Sequence, residues 1–240
     1  MAALSTMHLH LVAVSLYGAT PATHDAITGV PGSFERALTS LKRLRAAGIA
    51  CRISNVLMRD NFAEFEAVML LADDLGCKYL AEPMIRPTTA GDRGLSDDQR
   101  LREAELREFY AHPAIIAASA EGKVLTAEAP KSRTMGNCSA GFASATIDAR
   151  GDVLPCVGLA GSWGNIRDMS LVEAWRGLAA ERFRAEMSAP LRECADCDLI
   201  PFCTGRCPWM ALLEDGDACG RSANACERAR LIRDMWTERH

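Results

Sequence analysis

Seven cysteines form one ordered array in the second half of the chain, and their spacing is the feature of this sequence best suited to chemistry. The array starts with one cysteine and a later G-x4-C step, continues as C-x2-C-x5-C-x3-C, and closes with a distal cysteine. Its members are Cys138, Cys156, Cys194, Cys197, Cys203, Cys207 and Cys226. Because thiolate sulfur is a soft ligand, this set favours zinc or iron–sulfur clusters over ions that prefer oxygen.

Two other interpretations of the same cysteines stay open. A structural zinc site can combine a C-x2-C pair with two further cysteines, but one tetrahedral site takes only four thiolates and the rest would need a second site. A disulfide framework is typical of secreted chains. The first apolar stretch, residues 9–16, has neither a basic region before it nor a cleavage signal after it. We therefore expect no signal peptide and a cytoplasmic location.

The composition bears on the class of partner. The chain has 240 residues, of which 49% are hydrophobic and 24% are charged, and its formal net charge is −4. These values are those of an ordinary globular protein that has no general attraction for nucleic acid. No apolar run approaches the roughly 18 to 20 residues that span a bilayer, so we expect no membrane partner.

The elements that must position the cysteines begin with a repeated strand-and-helix pattern. Residues 9–15, 50–57 and 77–82 are predicted to be strands of a parallel sheet, and the nearly continuous apolar run at 9–15 is typical of a strand buried on both faces. Residues 18–32 predict a turn-rich loop, and residues 34–47 have helical periodicity. The sequence therefore predicts an α/β fold with three βα units.

Local signals place the remaining helices of the first half. Asn61 and Glu64 are predicted to form a capping box that starts the second helix, and Gly76 is predicted to end it. Residues 96–112 predict one charged amphipathic helix, whereas residues 115–131 show no clear pattern.

Short elements predominate after Cys138. Residues 144–147 and 153–156 flank a turn and predict a small hairpin. Ser170 begins a capping box before a short helix, and residues 226–236 predict a final helix. So few apolar residues per element indicate that bound metal stabilises this part of the chain.

The residues VSLYGATPATHDAITGVPGSF at positions 14–34 resemble the fourth strand and following loop of radical S-adenosylmethionine (SAM) enzymes. Together with the cysteine array, they make the chain similar to those radical SAM enzymes that carry a C-terminal SPASM domain. The resemblance implies a partial radical-SAM-type barrel of three βα units at residues 1–112. A connecting segment at 113–137 and a small, irregular, cysteine-rich SPASM domain at 138–240 would follow.

In that family the SPASM domain holds two auxiliary iron–sulfur clusters, which the resemblance implies are 4Fe–4S clusters here. The first cluster would be bound by Cys138, Cys156 and Cys207. The second would be bound by Cys194, Cys197, Cys203 and Cys226. Some relatives complete the first cluster with a further cysteine near the place of Ser144, so one iron is expected to be open to a substrate thiol or water. Cys219 would be a substitute ligand or a free thiol.

The resemblance fails at one motif. The family cleaves SAM at a cluster held by C-x3-C-x2-C, and that triplet is absent from these 240 residues. We therefore expect the C-terminal part of such an enzyme, either truncated or one half of a split enzyme, which binds SAM only when the missing barrel half is supplied. Ser15, at the end of the first strand, would then approach the cosubstrate. The alternative is that Ser15 merely ends a strand.

The implied function is radical modification of a peptide or a cofactor precursor. A 5′-deoxyadenosyl radical would abstract a substrate hydrogen in the intact enzyme, and the auxiliary clusters would accept the surplus electron or bind substrate. Expected partners are a peptide or small cofactor-precursor substrate, a chain that supplies the N-terminal barrel half, and an electron donor such as ferredoxin or flavodoxin. The alternative is a non-catalytic electron-transfer or substrate-binding module. In neither case do we expect autonomous radical catalysis.

Other side chains are expected to be structural. Cys51 and Cys77 lie in predicted strands and are expected to be core residues. His24 and Asp25 are expected to hydrogen-bond the loop that carries them. The edge of the first strand, residues 9–15, would be exposed in a partial barrel, which predicts poor solubility or self-association.

Overall fold

The computed structural model describes residues 6, 9–88, 91, 93–128, 138–188 and 192–240. The chain divides into two compact units, Met1–Leu106 and Arg107–His240. The last part of the predicted connecting segment, residues 129–137, lies outside the described residues.

A parallel three-stranded sheet forms the centre of the first unit, as predicted. The first strand is not buried on both faces, because Ala13 and Ser15 on one face are exposed. Its strands are β1 (Val12–Ser15), β2 (Cys51–Val56) and β3 (Lys78–Glu82), in the order β1-β2-β3. The register places Val14 opposite Ile53, and Ile53 opposite Tyr79. Since the strands are parallel, their carboxyl ends meet at one edge of the sheet.

Helices connect the strands of this unit. They are α1 (Pro21–Thr28), α2 (Ser33–Ala46), α3 (Phe65–Asp74) and α4 (Gly94–Gln99), and α5 (Glu103–Ala111) spans the boundary between the units. Gly48 and Gly76 follow α2 and α3 with positive φ angles of 74° and 62°, which glycine adopts without steric strain. Each therefore lets the chain leave the helix and enter the next strand.

The predicted loop at residues 18–32 contains a helix instead. Thr20 caps α1 by accepting a hydrogen bond from the backbone N–H of Thr23. Pro21 occupies the first turn, where its missing N–H leaves no helical hydrogen bond unmade. Because residues 18–32 are rich in turn-forming residues, the sequence analysis did not recognise these two signals for the start of a helix.

The capping box predicted at Asn61 and Glu64 is wrong. Asn61 Oδ1 accepts from the N–H of Met58, and its Nδ2 donates to the carbonyl of Val56, so this side chain orders the turn after β2. A 3-10 turn (Phe62–Glu64) then leads into α3. The Glu64 carboxylate contacts the start of α1 and so makes no hydrogen bond to Asn61.

The single helix predicted at residues 96–112 is two helices, α4 and α5. Arg100 is extended, with ψ 141°, and breaks the helical path between them. Leu101 is 4% exposed, so the break directs an apolar side chain inward that a continuous amphipathic helix would place elsewhere.

One face of the sheet packs against helices and forms the main core of the first unit. Leu41 and Leu44 of α2 and Val68 and Ala72 of α3 lie buried in it, around Ile53 of the central strand. Each fully buried aliphatic side chain contributes about 1.5–3 kcal/mol to folding. Cys51 and Cys77 are buried in this cluster, which confirms their prediction as core residues.

The second unit is assembled from short elements. Its helices are α6 (Pro113–Ala118), α7 (Ala120–Leu125), α8 (Leu171–Arg176), α9 (Leu178–Met187), α10 (Pro208–Asp215) and α11 (Ala223–Arg239). Its strands are β4 (Thr146–Ile147) and β5 (Val153–Leu154), and 3-10 turns occupy Arg192–Cys194 and Ile200–Phe202. The antiparallel hairpin, the Ser170 capping box and the final helix are confirmed. The segment without a clear pattern begins inside α6 and continues through α7.

A small aromatic core supports this unit. Trp163 lies 5.8 Å from Trp175 and 5.7 Å from Phe183 between ring centroids. Trp236 of α11 packs on Phe202, and its Nε1 donates to the carbonyl of Ala127 at 2.8 Å. Within the described ranges, no helix is both long enough and apolar enough to cross a membrane.

Candidate iron–sulfur centre

Four cysteines of the array line one partly open cavity in the second unit. They are Cys194, Cys197, Cys203 and Cys226. The apolar side chains of Leu199, Ile200 and Ala229 line the same cavity. These are the four cysteines expected at the second cluster, drawn from a loop and from the final helix.

Tight backbone turns hold the loop cysteines. The N–H of Cys197 donates to the carbonyl of Cys194 at 3.3 Å, and the N–H of Cys203 donates to the carbonyl of Leu199 at 2.9 Å. Phe202, only 9% exposed, anchors the turn before Cys203. Short spacings of two and five residues therefore keep three thiols around one space.

The fourth thiol comes from the first turn of α11. Ser222 caps this helix by accepting from the N–H of Ala225, and its carbonyl accepts from the N–H of Cys226 at 3.1 Å. Cys226 thereby faces the loop cysteines. Cys219 does not line the cavity, and its Sγ donates to the carbonyl of Glu186 at 3.5 Å.

Four cysteine thiols that line one space are a donor set used by both zinc sites and iron–sulfur clusters. Tetrahedral zinc with Zn–S bonds of about 2.3 Å draws its sulfurs to within about 3.8 Å of one another. Among the described residues, no three or more His, Cys, Asp or Glu side chains are grouped closely enough to hold one metal ion. An iron–sulfur core differs from a single ion in occupying the space between its ligands.

Burial and repulsion between neighbouring cysteines raise the pKa of thiols in this cavity. Burial raises the pKa of the Cys194 thiol, the neighbouring thiols Cys197, Cys226 and Cys203 raise it further, and the charge of Arg206 opposes them. Burial also raises the pKa of Cys226. A metal or cluster that bound these sulfurs as thiolates would have to displace these protons.

Arg206 and Arg221 also line the cavity, and the sequence analysis did not single them out. Arg206 lies between Cys203 and Cys207, so a cation directly beside ligand positions was the available signal. Arg221 precedes the cap of α11. Both place positive charge beside the four thiols.

Glu121 and Arg228 hold the loop that carries Cys203 and Cys207, and the sequence analysis missed both residues. Thr204 donates through its hydroxyl to Glu121 Oε1 at 2.8 Å. Arg228 Nε lies 3.8 Å from the same oxygen, and its Nη2 donates to the carbonyl of Gly205 at 3.3 Å. Glu121 stands 83 residues before Thr204, so no local pattern signals the contact.

Two of the cysteines expected at the first cluster, Cys156 and Cys207, lie beside residues that contact each other. Cys156 follows β5, and its Sγ accepts from the N–H of Gly158 at 3.4 Å. Gly158 lies against Trp209 of α10, the helix that begins directly after Cys207. The structure thus brings the Cys156 and Cys207 segments together, and no described contact joins Cys138 to either.

Ser15 lies exposed at the carboxyl end of β1, on the sheet face opposite the main core. Its neighbour in register is Ser54 of β2. His24, expected to hydrogen-bond its own loop, accepts from the N–H of Tyr17 through Nδ1 at 3.0 Å. Asp25 accepts from the backbone N–H groups of Gly32 and Phe34.

Comparison with known proteins finds a family model that matches part of the second unit. The model of the SPASM family, an iron–sulfur cluster-binding domain, matches residues 138–198. That span includes the first four cysteines of the array, and the remaining three follow it.

The chain is similar to several curated proteins. It is 29% identical over 230 residues to the AdoMet-dependent heme synthase of Nitratidesulfovibrio vulgaris, covering 85% of this chain and 61% of that protein. It is 27% identical to the PqqA peptide cyclase of Ruegeria pomeroyi, with 90% and 60% coverage. It is 30% identical to the mycofactocin maturase MftC of Mycobacterium tuberculosis, with 82% and 52% coverage. The chain therefore spans little more than half to three fifths of these relatives.

Solved structures share the fold. The structure of anSMEcpe with bound AdoMet and peptide matches with a TM-score of 0.61 at 16% identity, covering 95% of this chain and 68% of that one. Streptococcus suis SuiB bound to its precursor peptide SuiA matches with a TM-score of 0.56 at 15% identity, with 90% and 53% coverage.

Proposed function

We propose that this chain, as a radical SAM/SPASM protein, binds iron–sulfur clusters in its second unit. Its proposed role is radical maturation of a peptide or a cofactor precursor. The observation that carries the proposal is the cavity lined by Cys194, Cys197, Cys203 and Cys226. Bound there, a 4Fe–4S cluster would supply one-electron chemistry. The chain's own residues orient the four thiols and keep one side of the site apolar.

A second cluster completes the proposed cofactor set. Cys138, Cys156 and Cys207 would hold it, supported by the packing of the Cys156 loop on α10. With three protein thiolates, this cluster would keep one iron open to a substrate thiol or water. Ser15 would face the SAM cosubstrate, supported by its exposure at the carboxyl end of β1.

The substrate class rests on the relatives. PqqA cyclase is named for a peptide, and the SuiB structure holds a precursor peptide, whereas heme synthase acts in cofactor formation by its name. We propose a peptide or a small cofactor precursor as substrate. Ferredoxin or flavodoxin would serve as the electron donor.

A second candidate function is an electron-transfer or substrate-binding module. The observation that favours it is the absence of C-x3-C-x2-C from these 240 residues. Radical generation would then depend on a segment outside them, in the same polypeptide or in a partner chain.

Anaerobic reconstitution followed by iron, sulfide and zinc analysis tests cluster binding. We expect about eight irons and about eight sulfides per chain, the content of two 4Fe–4S clusters. C194A/C197A should lose about half of the iron, whereas C51A, a change at a buried core cysteine, should lose none. Zinc without sulfide would refute the cluster assignment.

A turnover assay separates the two functions. The reconstituted chain is given SAM and dithionite, alone and with a partner that supplies C-x3-C-x2-C, and 5′-deoxyadenosine is measured. Product only with the partner supports a role in radical maturation. Reconstituted clusters without product under either condition support the module.

A further inference from the structure

We propose that Arg206 sets the reduction potential of the cluster held in the four-cysteine cavity, by providing a fixed positive charge in its wall. The inference rests on the proposed function, since it requires that a cluster binds there. It adds a role for a residue that holds no iron.

The position of Arg206 is fixed by the fold. Its side chain lines the cavity together with the four thiols, and the residue is half-buried. Its Nη1 donates to the carbonyl of Ala218, which holds the guanidinium in place. Because a hydrogen bond to a neutral carbonyl leaves the charge intact, the full positive charge acts on the cavity.

The charge of Arg206 is not cancelled by a carboxylate of the described residues, since no ion pair within 4.0 Å forms there. Arg221, the other cation of the wall, differs in this respect. Its side chain is 61% exposed and lies 3.9 Å from Glu193. Water and salt screen an exposed charge more than a half-buried one, so Arg206 is the stronger influence.

Electrostatics then gives the direction of the effect. A 4Fe–4S core with four thiolates carries a net charge of about −2 when oxidised and about −3 when reduced. Dithionite supplies the single electron, and no bond to the protein forms or breaks. A nearby cation stabilises the more negative state more strongly, so Arg206 raises the potential.

The test is a redox titration with dithionite, monitored by the EPR signal of the reduced cluster. The 240-residue C138A/C156A chain serves as the reference, because it lacks two ligands proposed for the other cluster. R206Q removes the charge and keeps a hydrogen-bond donor, R206K keeps the charge, and R182Q is a matched control. Arg182 is exposed on α9 and does not line the cavity.

We expect R206Q to lower the ratio of reduced to oxidised cluster at least tenfold at a fixed potential, a shift of about 59 mV for one electron. R206K should stay within threefold of the reference, and R182Q should match it. Equal shifts in R206Q and R206K would show that the donor geometry matters and would overturn the role of charge. An unchanged potential in R206Q would overturn the inference outright.

Two further measurements keep the outcomes apart. If R206Q retains no iron, the unaltered Arg206 site is titrated at low and high salt. A half-buried charge predicts less than a threefold change in the ratio, and a larger change would assign the potential to exposed charges instead. Absence of any cluster in the reference chain would remove the proposed function, and this inference with it.

Discussion

The backbone of Gly158 lies against the indole of Trp209, so closely that a Cβ built on the glycine would stand 1.8 Å from the ring carbon Cδ2. Gly158 follows Cys156 by two residues, and Trp209 follows Cys207 by two. Trp209 is 7% exposed and sits in the first turn of α10, where it has little room to move. The contact therefore joins two segments that carry proposed ligands of the first cluster.

We predict that G158A separates these segments. Overpacking of a buried contact typically costs about 1–3 kcal/mol, and here the added methyl meets an aromatic ring instead of a flexible chain end. Urea unfolding monitored by tryptophan fluorescence should show this loss of unfolding free energy, because all four tryptophans lie in the second unit. The iron content should fall by up to the four irons of the first cluster.

Gly161→Ala provides the control for that prediction. Gly161 has φ +107°, so alanine is strained there, but nothing lies within 4 Å of its Cβ position. We expect a loss of unfolding free energy of about 1–2 kcal/mol from backbone strain, with the iron content unchanged. A similar iron loss in both variants would show that the Gly158–Trp209 contact has no special role.

The Glu64 carboxylate orders the start of α1, and its removal should loosen that helix. Oε2 accepts from the N–H of Ala19 at 2.7 Å, and Oε1 accepts from the hydroxyls of Thr20 and Thr23. E64A leaves the Ala19 N–H without this acceptor, which costs about 1–3 kcal/mol. Hydrogen exchange measured by mass spectrometry should be faster in residues 16–28.

E64Q and D73N complete this test. E64Q keeps one acceptor oxygen and should lose only about 1 kcal/mol, the difference between a charged and a neutral hydrogen bond. Asp73 is exposed on α3, the helix that follows Glu64, and D73N should leave exchange in residues 16–28 unchanged. Equal exchange in E64A and in the unaltered chain would contradict the proposed role of Glu64.

Glu64 also shows where the sequence pattern and the structure differ. Its spacing from Asn61 matches a capping box, yet its partners lie 41 to 45 residues earlier in the chain. Rules based on neighbouring residues cannot detect such a competitor, and the same holds for Glu121 and Thr204. Arg100 was missed for a related reason, because helical periodicity does not reveal an extended residue that turns Leu101 inward.

Features with short-range causes were predictable. The parallel strands follow from the repeated strand-and-helix pattern, and Gly48 and Gly76 mark the helix ends through their positive φ. Three of the four cavity cysteines lie within ten residues of one another, so the turns that join them suffice to gather their thiols. Cys226 required a helix to fold back, and only the resemblance to a family placed it in the set.

His24 predicts that the first unit loses stability in mild acid. Burial lowers the pKa of its imidazole below the usual 6.5, against the opposing charge of Asp25. The unfolded chain therefore binds the proton more readily than the folded chain does. The folding stability associated with a neutral His24 is fully present above about pH 6.5 and declines as the pH falls below that value. Protonation at Nδ1 would also remove the acceptor for the Tyr17 N–H.

Hydrogen exchange of residues 9–88 between pH 5 and 7.5, corrected for intrinsic rates, measures this dependence. H24N offers an acceptor oxygen that does not titrate, so we expect lower protection overall but a flatter pH profile. H112N alters a histidine outside this segment and should leave the profile unchanged. A profile as steep in H24N as in the unaltered chain would assign the acid sensitivity to another group.

The ion pair between Glu121 and Arg228 should stabilise the fold more than the 3.8 Å between Glu121 Oε1 and Arg228 Nε suggests, because the two side chains are only 16% and 18% exposed. Removing one partner leaves the other charge largely buried, which costs on the order of 3 kcal/mol. We therefore expect E121L and R228M each to destabilise the second unit and release iron. The double variant E121L/R228M should recover most of that loss, as measured by tryptophan fluorescence during urea unfolding.

The pair of Arg107 and Glu238 provides the comparison within the same unit. Its distance is shorter, at 2.9 Å, but its side chains are 31% and 62% exposed, so a coupling energy of only about 0.2–1 kcal/mol is expected. Iron content should not change in that cycle, because neither residue contacts the loop between Cys203 and Cys207 in the described contacts. If the losses from E121L and R228M simply add, the two residues stabilise the loop independently and not as a pair.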